Sequence, residues 1–100
     1  MIEENQSTSL TPTRAHVFIS GKVQGVGYRF STLEMAVNIN LSGWVKNLPD
    51  GKVEAVFEGS NQAVEKIINW CYKGPKSAIV NDVNIKYEQP EGLQNFEIHR

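Results

Sequence analysis

GKVQGVGYRF, residues 21–30, contains three glycines between a segment that predicts a strand and one that predicts a helix. Glycine loses more conformational entropy on folding than any other residue, so this repetition indicates a backbone with unusual conformational needs. Before the turn, Ala15, Val17 and Ile19 alternate with His16, Phe18 and Ser20, which is typical of a strand. The turn ends on Arg29, and we refer to residues 24–29 as the glycine turn.

The residues after the turn predict a helix that begins near Arg29 and ends near Asn40. Apolar residues recur there at spacings of three and four, which places them on one stripe of a helix. The stripe consists of Phe30, Leu33, Ala36, Val37 and Leu41. We therefore expect this stripe to pack against the rest of the domain.

A hairpin and a second helix are predicted next. Within residues 43–59, two strands flank Pro49-Asp50-Gly51, which supplies the conformations that a tight turn requires. Ser60 is a suitable N-cap for the following helix, which ends at Gly74-Pro75. The apolar stripe of this helix is Val64, Ile67, Ile68 and Cys71.

The order of predicted elements defines the fold class. Alternation over residues 83–87 predicts a fourth main strand, and residues 96–98 a short last one, so the order is βαββαβ plus a short C-terminal strand. Two helices with one apolar stripe each cover one face of a sheet, which predicts a two-layer α+β sandwich. Right-handed crossovers then give a ferredoxin-like fold with a mostly antiparallel sheet. Residues 1–12 are polar and predict a disordered tail outside a domain of residues 13–100.

Composition excludes several classes of protein. Ten Lys and Arg against eleven Asp and Glu leave no basic excess for nucleic acid. No apolar run approaches the roughly 20 residues of a membrane span, and the N-terminus lacks the features of a secretory signal. Cys71 is the single cysteine and the two histidines are far apart, so we expect no disulfide and no metal site. We expect a cytoplasmic monomer that binds neither nucleic acid nor membrane.

The glycine turn is suited to an anion. Neither the P-loop pattern nor the dinucleotide-binding fingerprint occurs in it. Gly25 and Gly27 nevertheless allow successive backbone N–H groups to point inward, and the following helix adds its own unpaired N–H groups. The planar guanidinium of Arg29 matches two oxygens of a phosphate. From spacing alone, an ordinary strand-to-helix turn with a surface arginine explains the segment equally well.

Asn47 is the second candidate for chemistry. The βαβ crossover is expected to return residues 44–48 beside the first strand, close to the glycine turn. An amide within a strand is disfavoured for packing, and it both donates to and accepts from a water molecule. The alternative is an asparagine that initiates the turn before Pro49 and Asp50.

Two segments together resemble a known family. GKVQGVGYR (21–29) and GWVKNLPDGKVE (43–54) are similar to the two signature segments of the acylphosphatases, as are KGP (73–75) and NFEIHR (95–100). The resemblance covers about residues 14–100. It implies that Asn47 positions the attacking water, that Thr32 places a hydroxyl near the site, and that no cofactor is needed. The phosphate would be held by the backbone of Gln24, Gly25, Val26, Gly27 and Tyr28 together with Arg29.

The residue types agree with such chemistry. Neither signature segment offers a general acid, since Asp50 and Glu54 fall at the end and on the far face of the hairpin. A site without an acid expels only a good leaving group, and the carboxylate of an acyl phosphate is one, because its conjugate acid has a pKa of about 4. We therefore expect hydrolysis of acyl phosphates, with inorganic phosphate or sulfate as competing anions and no metal ion.

Three other functions are compatible with the same order of elements. The first is a non-enzymatic regulatory module that binds a small ligand. The second is an RNA-recognition module, which Glu54 and Glu58 on the open face of the sheet would disfavour. The third is an acylphosphatase-like segment of a larger protein that processes carbamoyl phosphate, which a chain ending at residue 100 disfavours.

Overall fold

The structure is a computed structural model that describes residues 11–100. Its elements are β1 (Thr13–Lys22), α1 (Tyr28–Asn38), β2 (Ser42–Asn47), β3 (Val53–Gly59), α2 (Asn61–Cys71), β4 (Ile79–Glu88) and β5 (Phe96–Ile98). This order confirms the predicted βαββαβ arrangement with a short last strand. Most of the tail predicted over residues 1–12 lies outside the described residues.

The strands form one sheet in the order β4-β1-β3-β2-β5. Strand β3 is antiparallel to both β1 and β2, β4 is antiparallel to β1, and β5 is parallel to β2. The expectation that β2 returns beside β1 was wrong, because β3 lies between them, although the end of β2 still reaches the cavity at the glycine turn as expected. Each crossover steps over one strand, which is the split βαβ arrangement of a ferredoxin-like α+β fold.

The core lies between the two helices and one face of the sheet. Its sheet side includes alternate residues of β1 and β3, and α2 contributes the predicted stripe of Val64, Ile67, Ile68 and Cys71, all of them buried. Ser60 caps α2 as predicted, since its Oγ accepts a hydrogen bond from the N–H of Ala63 at 3.1 Å. Periodicity therefore predicted this half of the helical layer correctly.

The buried face of α1 agrees with the predicted stripe only in part, since Ala36 and the following Leu41 are buried as expected. The structure buries Tyr28, Thr32 and Ala36, whereas Phe30 and Val37 are 59% and 57% exposed. The physical reason is that both buried polar side chains have partners. The hydroxyl of Tyr28 donates to the carbonyl of Cys71, and that of Thr32 donates to the carbonyl of Tyr28, each at 2.7 Å. A satisfied hydroxyl is buried at little cost, so the more polar stripe faces the core.

Both helices are short, with 11 residues each. Accordingly, neither of these helices of residues 11–100 could cross a membrane. Among the same residues, no three His, Cys, Asp or Glu side chains are grouped so that they could hold a metal ion.

Candidate active site

A cavity of about 190 Å³ lies where the glycine turn meets the end of β2. Its walls are formed by Val23, Gly25, Gly27, Tyr28, Arg29, Phe30, Asn47 and Ile98. Two segments that lie far apart in sequence, the glycine turn and the strand that ends on Asn47, therefore contribute to one site. A larger groove of about 480 Å³ runs along α2, but none of the predicted site residues lines it.

The backbone of the glycine turn takes conformations that favour glycine. Gly25 and Gly27 have φ angles of 75° and 80°, in the left-handed region that costs other residues roughly 1–2 kcal/mol. A Cβ added at either residue would meet no atom of the described chain within 4 Å. Backbone conformation, rather than close packing, therefore explains these glycines, and their lack of side chains leaves the backbone accessible from the cavity.

The start of α1 needs an acceptor from outside the helix. Gly27 is the N-cap residue and provides no side-chain cap, and the first turn contains no acidic residue. The first N–H groups of a helix have no partner within the helix, and the helix dipole gives them a partial positive charge. An anion in the cavity would accept hydrogen bonds from these N–H groups and interact favourably with their partial positive charge.

Arg29 adds a full positive charge at the same position. It lies in the first turn of α1 and lines the cavity. Within residues 11–100, its guanidinium has no carboxylate or hydrogen-bond partner. A cation at the N-terminus of a helix opposes the helix dipole by about 0.3–1 kcal/mol. A phosphate between the guanidinium and the helix would turn this repulsion into two attractive contacts.

Asn47 also lines this cavity, and one of its side-chain atoms has no hydrogen-bond partner among residues 11–100. It is the last residue of β2, and it pairs with Val53 of β3. Its Oδ1 is buried and accepts no hydrogen bond from residues 11–100. An unsatisfied buried acceptor costs about 1–3 kcal/mol, so such atoms are rare and have a partner in solution or in function. A water molecule is the smallest group that could supply the missing donor.

Gln24 connects the two parts of the site, a role that the sequence did not predict. Its Nε2 donates to the carbonyl of Leu48 at 2.8 Å and to that of Lys52 at 2.9 Å. The side chain therefore ties the glycine turn to the hairpin that follows Asn47. The prediction gave Gln24 only a backbone contact to phosphate, and no sequence pattern marks the two carbonyls that its side chain reaches.

Tyr28 fixes the first residue of α1 to the end of α2. Its side chain is 1% exposed, its ring lies against Trp70 with 5.4 Å between centroids, and its hydroxyl donates to the carbonyl of Cys71. Gly74 makes room for the ring, because a Cβ there would lie 2.6 Å from Cε2 of Tyr28. Burial raises the pKa of Tyr28 well above its usual value, so the phenol remains a neutral donor.

Thr32 and Val26 do not bring side chains to the cavity. The Oγ1 of Thr32 is bonded to the carbonyl of Tyr28 and the residue is fully buried, one turn further along α1. The structure thus does not support the expected hydroxyl near the site, because the helical spacing turns it toward the core. Val26 packs against the core, so its part in the glycine turn is limited to its backbone.

Three apolar residues of the cavity were missed by sequence reasoning. Phe30 was expected in the core, and Val23 and Ile98 were not assigned to the site. Ile98 reaches it because β5 lies beside β2, where Ile98 pairs with Val45. Only the strand order places it there, and no signal in the sequence indicated this neighbour.

The cavity therefore combines anion-binding donors with an amide and an apolar wall. No Asp, Glu or His is among the described residues that line it. Such a site can hold a phosphoryl group and orient a water, but its own side chains cannot give a proton to a poor leaving group. Fold and cavity define a ferredoxin-like α+β domain with a strand-to-helix turn suited to phosphate.

Comparisons with known proteins agree with this class. Residues 15–98 match the family model described as Acylphosphatase. A curated acylphosphatase from Nostoc sp. is 58% identical over 87 residues, which are 87% of this chain and 86% of that protein. The chain therefore belongs to the acylphosphatase family, and with it to the hydrolases.

Solved structures show the same fold. A Coxiella burnetii acylphosphatase superposes with a TM-score of 0.86 at 38% identity, over 89% of this chain and 94% of that one. A Bacillus subtilis acylphosphatase also gives a TM-score of 0.86, at 31% identity over 88% of this chain and 99% of that one. The likeness extends over nearly the whole domain.

Proposed function

We propose that this chain hydrolyses acyl phosphates to a carboxylate and inorganic phosphate by direct attack of water. The observation that carries this proposal is that Arg29 and Asn47 line one cavity, and that the buried Oδ1 of Asn47 has no hydrogen-bond partner among residues 11–100. Family membership supports an acyl phosphate as the substrate. The division of roles between residues rests on this geometry and on the resemblance of residues 21–29 and 43–54 to the signature segments of the family.

The glycine turn binds the phosphoryl group in this proposal. Backbone N–H groups of residues 24–28 and the fork of Arg29 contact its non-bridging oxygens. Charge on these oxygens changes as the phosphoryl group is transferred, and fixed donors stabilise it without reorganising. Thr32 contributes through the first turn of α1 rather than by touching the substrate.

Asn47 orients the nucleophile. Its Oδ1 accepts a hydrogen bond from one O–H of a water, which directs a lone pair of the water oxygen toward phosphorus. The new bond joins that oxygen to phosphorus while the bond to the acyl oxygen breaks, and the carboxylate leaves with the electron pair. A phosphate oxygen takes the proton of the water, since no Asp, Glu or His that could act as a general base is among the described residues that line the cavity.

The leaving group decides between substrate classes. A carboxylate departs unprotonated, because its conjugate acid has a pKa of about 4. A simple alkoxide requires a proton that this site does not provide. We therefore propose acyl phosphates as substrates and exclude alkyl phosphate monoesters.

The test measures turnover of benzoyl phosphate by absorbance, beside phosphate release from glycerol phosphate. We expect turnover of the first and none of the second, with competitive inhibition by inorganic phosphate or sulfate. EDTA is expected to leave the rate unchanged, because the proposed contacts come from N–H, guanidinium and amide groups. A non-enzymatic regulatory module would bind the ligand without turning it over, and that outcome would refute the proposal.

The cellular location and the oligomeric state of the protein are further parts of the proposal. The chain has one cysteine, which is buried, and a net charge of −1, which support a cytoplasmic protein that binds no nucleic acid. The hydrophobic core of residues 11–100 closes between the two helices and one face of the sheet, as in a compact domain that needs no partner to fold. We therefore propose a monomer, which light scattering of the purified chain would test.

A further inference from the structure

One wall of the cavity is apolar. Val23 is 1% exposed, whereas Phe30 and Ile98 are 59% and 39% exposed. Isolated apolar side chains at a protein surface are common, but these two border the same cavity as Arg29 and Asn47. They therefore offer an apolar surface next to the place where the phosphoryl group would bind.

Phe30 and Ile98 approach the cavity from different layers of the fold. Phe30 follows Arg29 in the first turn of α1, so it lies at the same helix end as the proposed phosphate donors. Ile98 pairs with Val45 in the parallel β2–β5 ladder, and Asn47 lies two residues beyond Val45 on the same face of β2. The apolar wall is thus bounded by the phosphate donors on one side and by Asn47 on the other.

The charges around the cavity also restrict its occupant. Arg29 is the charged residue among the described residues that line it, and the phosphoryl group engages it. A second anionic group on the substrate would face the apolar wall without a counter-ion, which is unfavourable. An uncharged acyl group would instead cover Phe30 and Ile98.

We propose that Phe30 and Ile98 form an acyl subsite that selects acyl phosphates with an uncharged aromatic or branched alkyl acyl group. This inference rests on the proposed function. It assigns specificity to two residues that contact the acyl group, and it leaves binding of the phosphoryl group to the glycine turn. Differences of one or a few carbon atoms in an apolar pocket change selectivity by roughly 10–200-fold.

The experiment compares kcat/KM for benzoyl phosphate and acetyl phosphate in the full chain and its variants. Phe30→Ala and Ile98→Thr remove apolar surface while respecting the helix and the strand. Val37→Ala is the matched control, because Val37 lies on the same helix, is 57% exposed and does not line the cavity. We expect the benzoyl-to-acetyl ratio to fall about tenfold in each test variant and to stay unchanged in the control.

Inhibition by inorganic phosphate separates the subsite from the phosphate site. The inhibition constant should be the same in all variants, because phosphate has no acyl group. An unchanged benzoyl-to-acetyl ratio in both test variants would overturn the inference. Equal loss on both substrates together with weaker phosphate inhibition would also overturn it, since the residues would then act through the phosphate site. If the unaltered chain hydrolyses neither substrate, the proposed function fails, and this inference fails with it.

Discussion

The side-chain amide of Gln24 donates a hydrogen bond to the carbonyl of Leu48 at 2.8 Å, and a second to that of Lys52 at 2.9 Å. Leu48 follows Asn47 directly, so these bonds fix the glycine turn against the strand end that carries Asn47. Both carbonyls also accept hairpin bonds, from the N–H groups of Gly51 and Leu48. Gln24 therefore adds a second bond to each carbonyl and sets the distance between the two parts of the site.

Replacing Gln24 by methionine, which has a similar length and no donor, should lower kcat about ten- to hundredfold. A displacement of about 1 Å between reacting groups costs up to a hundredfold. Loss of two hydrogen bonds should also destabilise the domain by about 1–3 kcal/mol. Rates and melting curves test this, with Gln62→Met on the exposed face of α2 as the control. A variant with a lower Tm and an unchanged kcat would show that the contact serves stability alone.

Glu58 makes a second long-range connection, on the open face of the sheet. Its carboxylate accepts hydrogen bonds from the backbone N–H groups of Glu91, Gly92 and Leu93 at 2.8, 3.1 and 2.9 Å. The guanidinium of Arg14 lies 2.7 Å from it, and both side chains are nearly inaccessible to solvent. Glu58 thereby holds the loop before β5, the strand that carries one wall of the cavity.

Stability should decline in acid because of this carboxylate. Burial raises the pKa of Glu58, but the N–H of Glu91 and the guanidinium of Arg14 outweigh it, and the net pKa lies below the usual 4.5. A lowered folded-state pKa contributes stability that is present above the unfolded-state value and is lost as pH falls through the folded-state value. We therefore expect Tm to decrease progressively below about pH 4.5.

Glu58→Gln tests the assignment of this acid transition. It leaves Arg14 buried without its closest counter-charge, which costs about 3–5 kcal/mol when a buried pair is broken. The melting temperature at neutral pH should fall, and its decline in acid should become shallower. Glu65→Gln, on the exposed face of α2, should change neither. An acid decline that is equally steep in Glu58→Gln would assign it to other carboxylates.

The sequence predicted the buried face of one helix better than that of the other, because different interactions determine burial in each. The stripe of α2 was predicted correctly because its buried residues are all apolar, so hydropathy and burial coincide. The predicted stripe of α1 was only partly correct: Ala36 and Leu41 are buried as predicted, but Phe30 and Val37 are exposed. Tyr28 and Thr32 are buried instead because their hydroxyls have partners, which were unknown before the fold. Periodicity measures polarity, not the presence of a partner.

The site shows the same distinction. Gly25, Gly27, Arg29 and Asn47 were predicted together, and the structure places them around one cavity. Their residue types alone left an ordinary turn and an ordinary hairpin asparagine equally possible, and the resemblance of the two segments to one family joined them into one predicted site. The hydrogen bonds of Gln24 to the hairpin and the position of Ile98 at the cavity depend on which strands are neighbours. The strand order β4-β1-β3-β2-β5 cannot be predicted from local sequence patterns.

Deletion of residues 1–12 should leave kcat and Tm nearly unchanged. The segment is rich in Ser, Thr, Asn and Glu, so it offers little apolar surface to bury. Thermal melting and benzoyl phosphate hydrolysis of the shortened chain provide the measurement. A fall in Tm of more than about 4 °C, on the order of 1 kcal/mol for a domain of this size, would contradict the proposed domain boundary.

Replacing Arg29 and replacing Asn47 should have different effects on phosphate binding. Arg29→Ala is expected to abolish activity and to weaken phosphate binding, because it removes the full charge that faces the phosphoryl group. Arg29→Lys should restore little, since a point charge cannot form a two-pronged contact. Calorimetric titration with inorganic phosphate measures the binding, and Arg100→Ala, at the exposed C-terminus, is the control for lost charge.

Asn47→Ala should instead lower kcat by two or more decades, roughly 3 kcal/mol of transition-state stabilisation, while phosphate binds with near-normal affinity. The variant should melt at the same or a higher temperature, because it removes a buried oxygen that has no partner within residues 11–100. Asn84→Ala, exposed on β4, is the matched control and should change neither quantity. If Asn47→Ala loses phosphate binding as severely as Arg29→Ala, then Asn47 holds the phosphate rather than the water. The mechanism would then lack the group that orients its nucleophile.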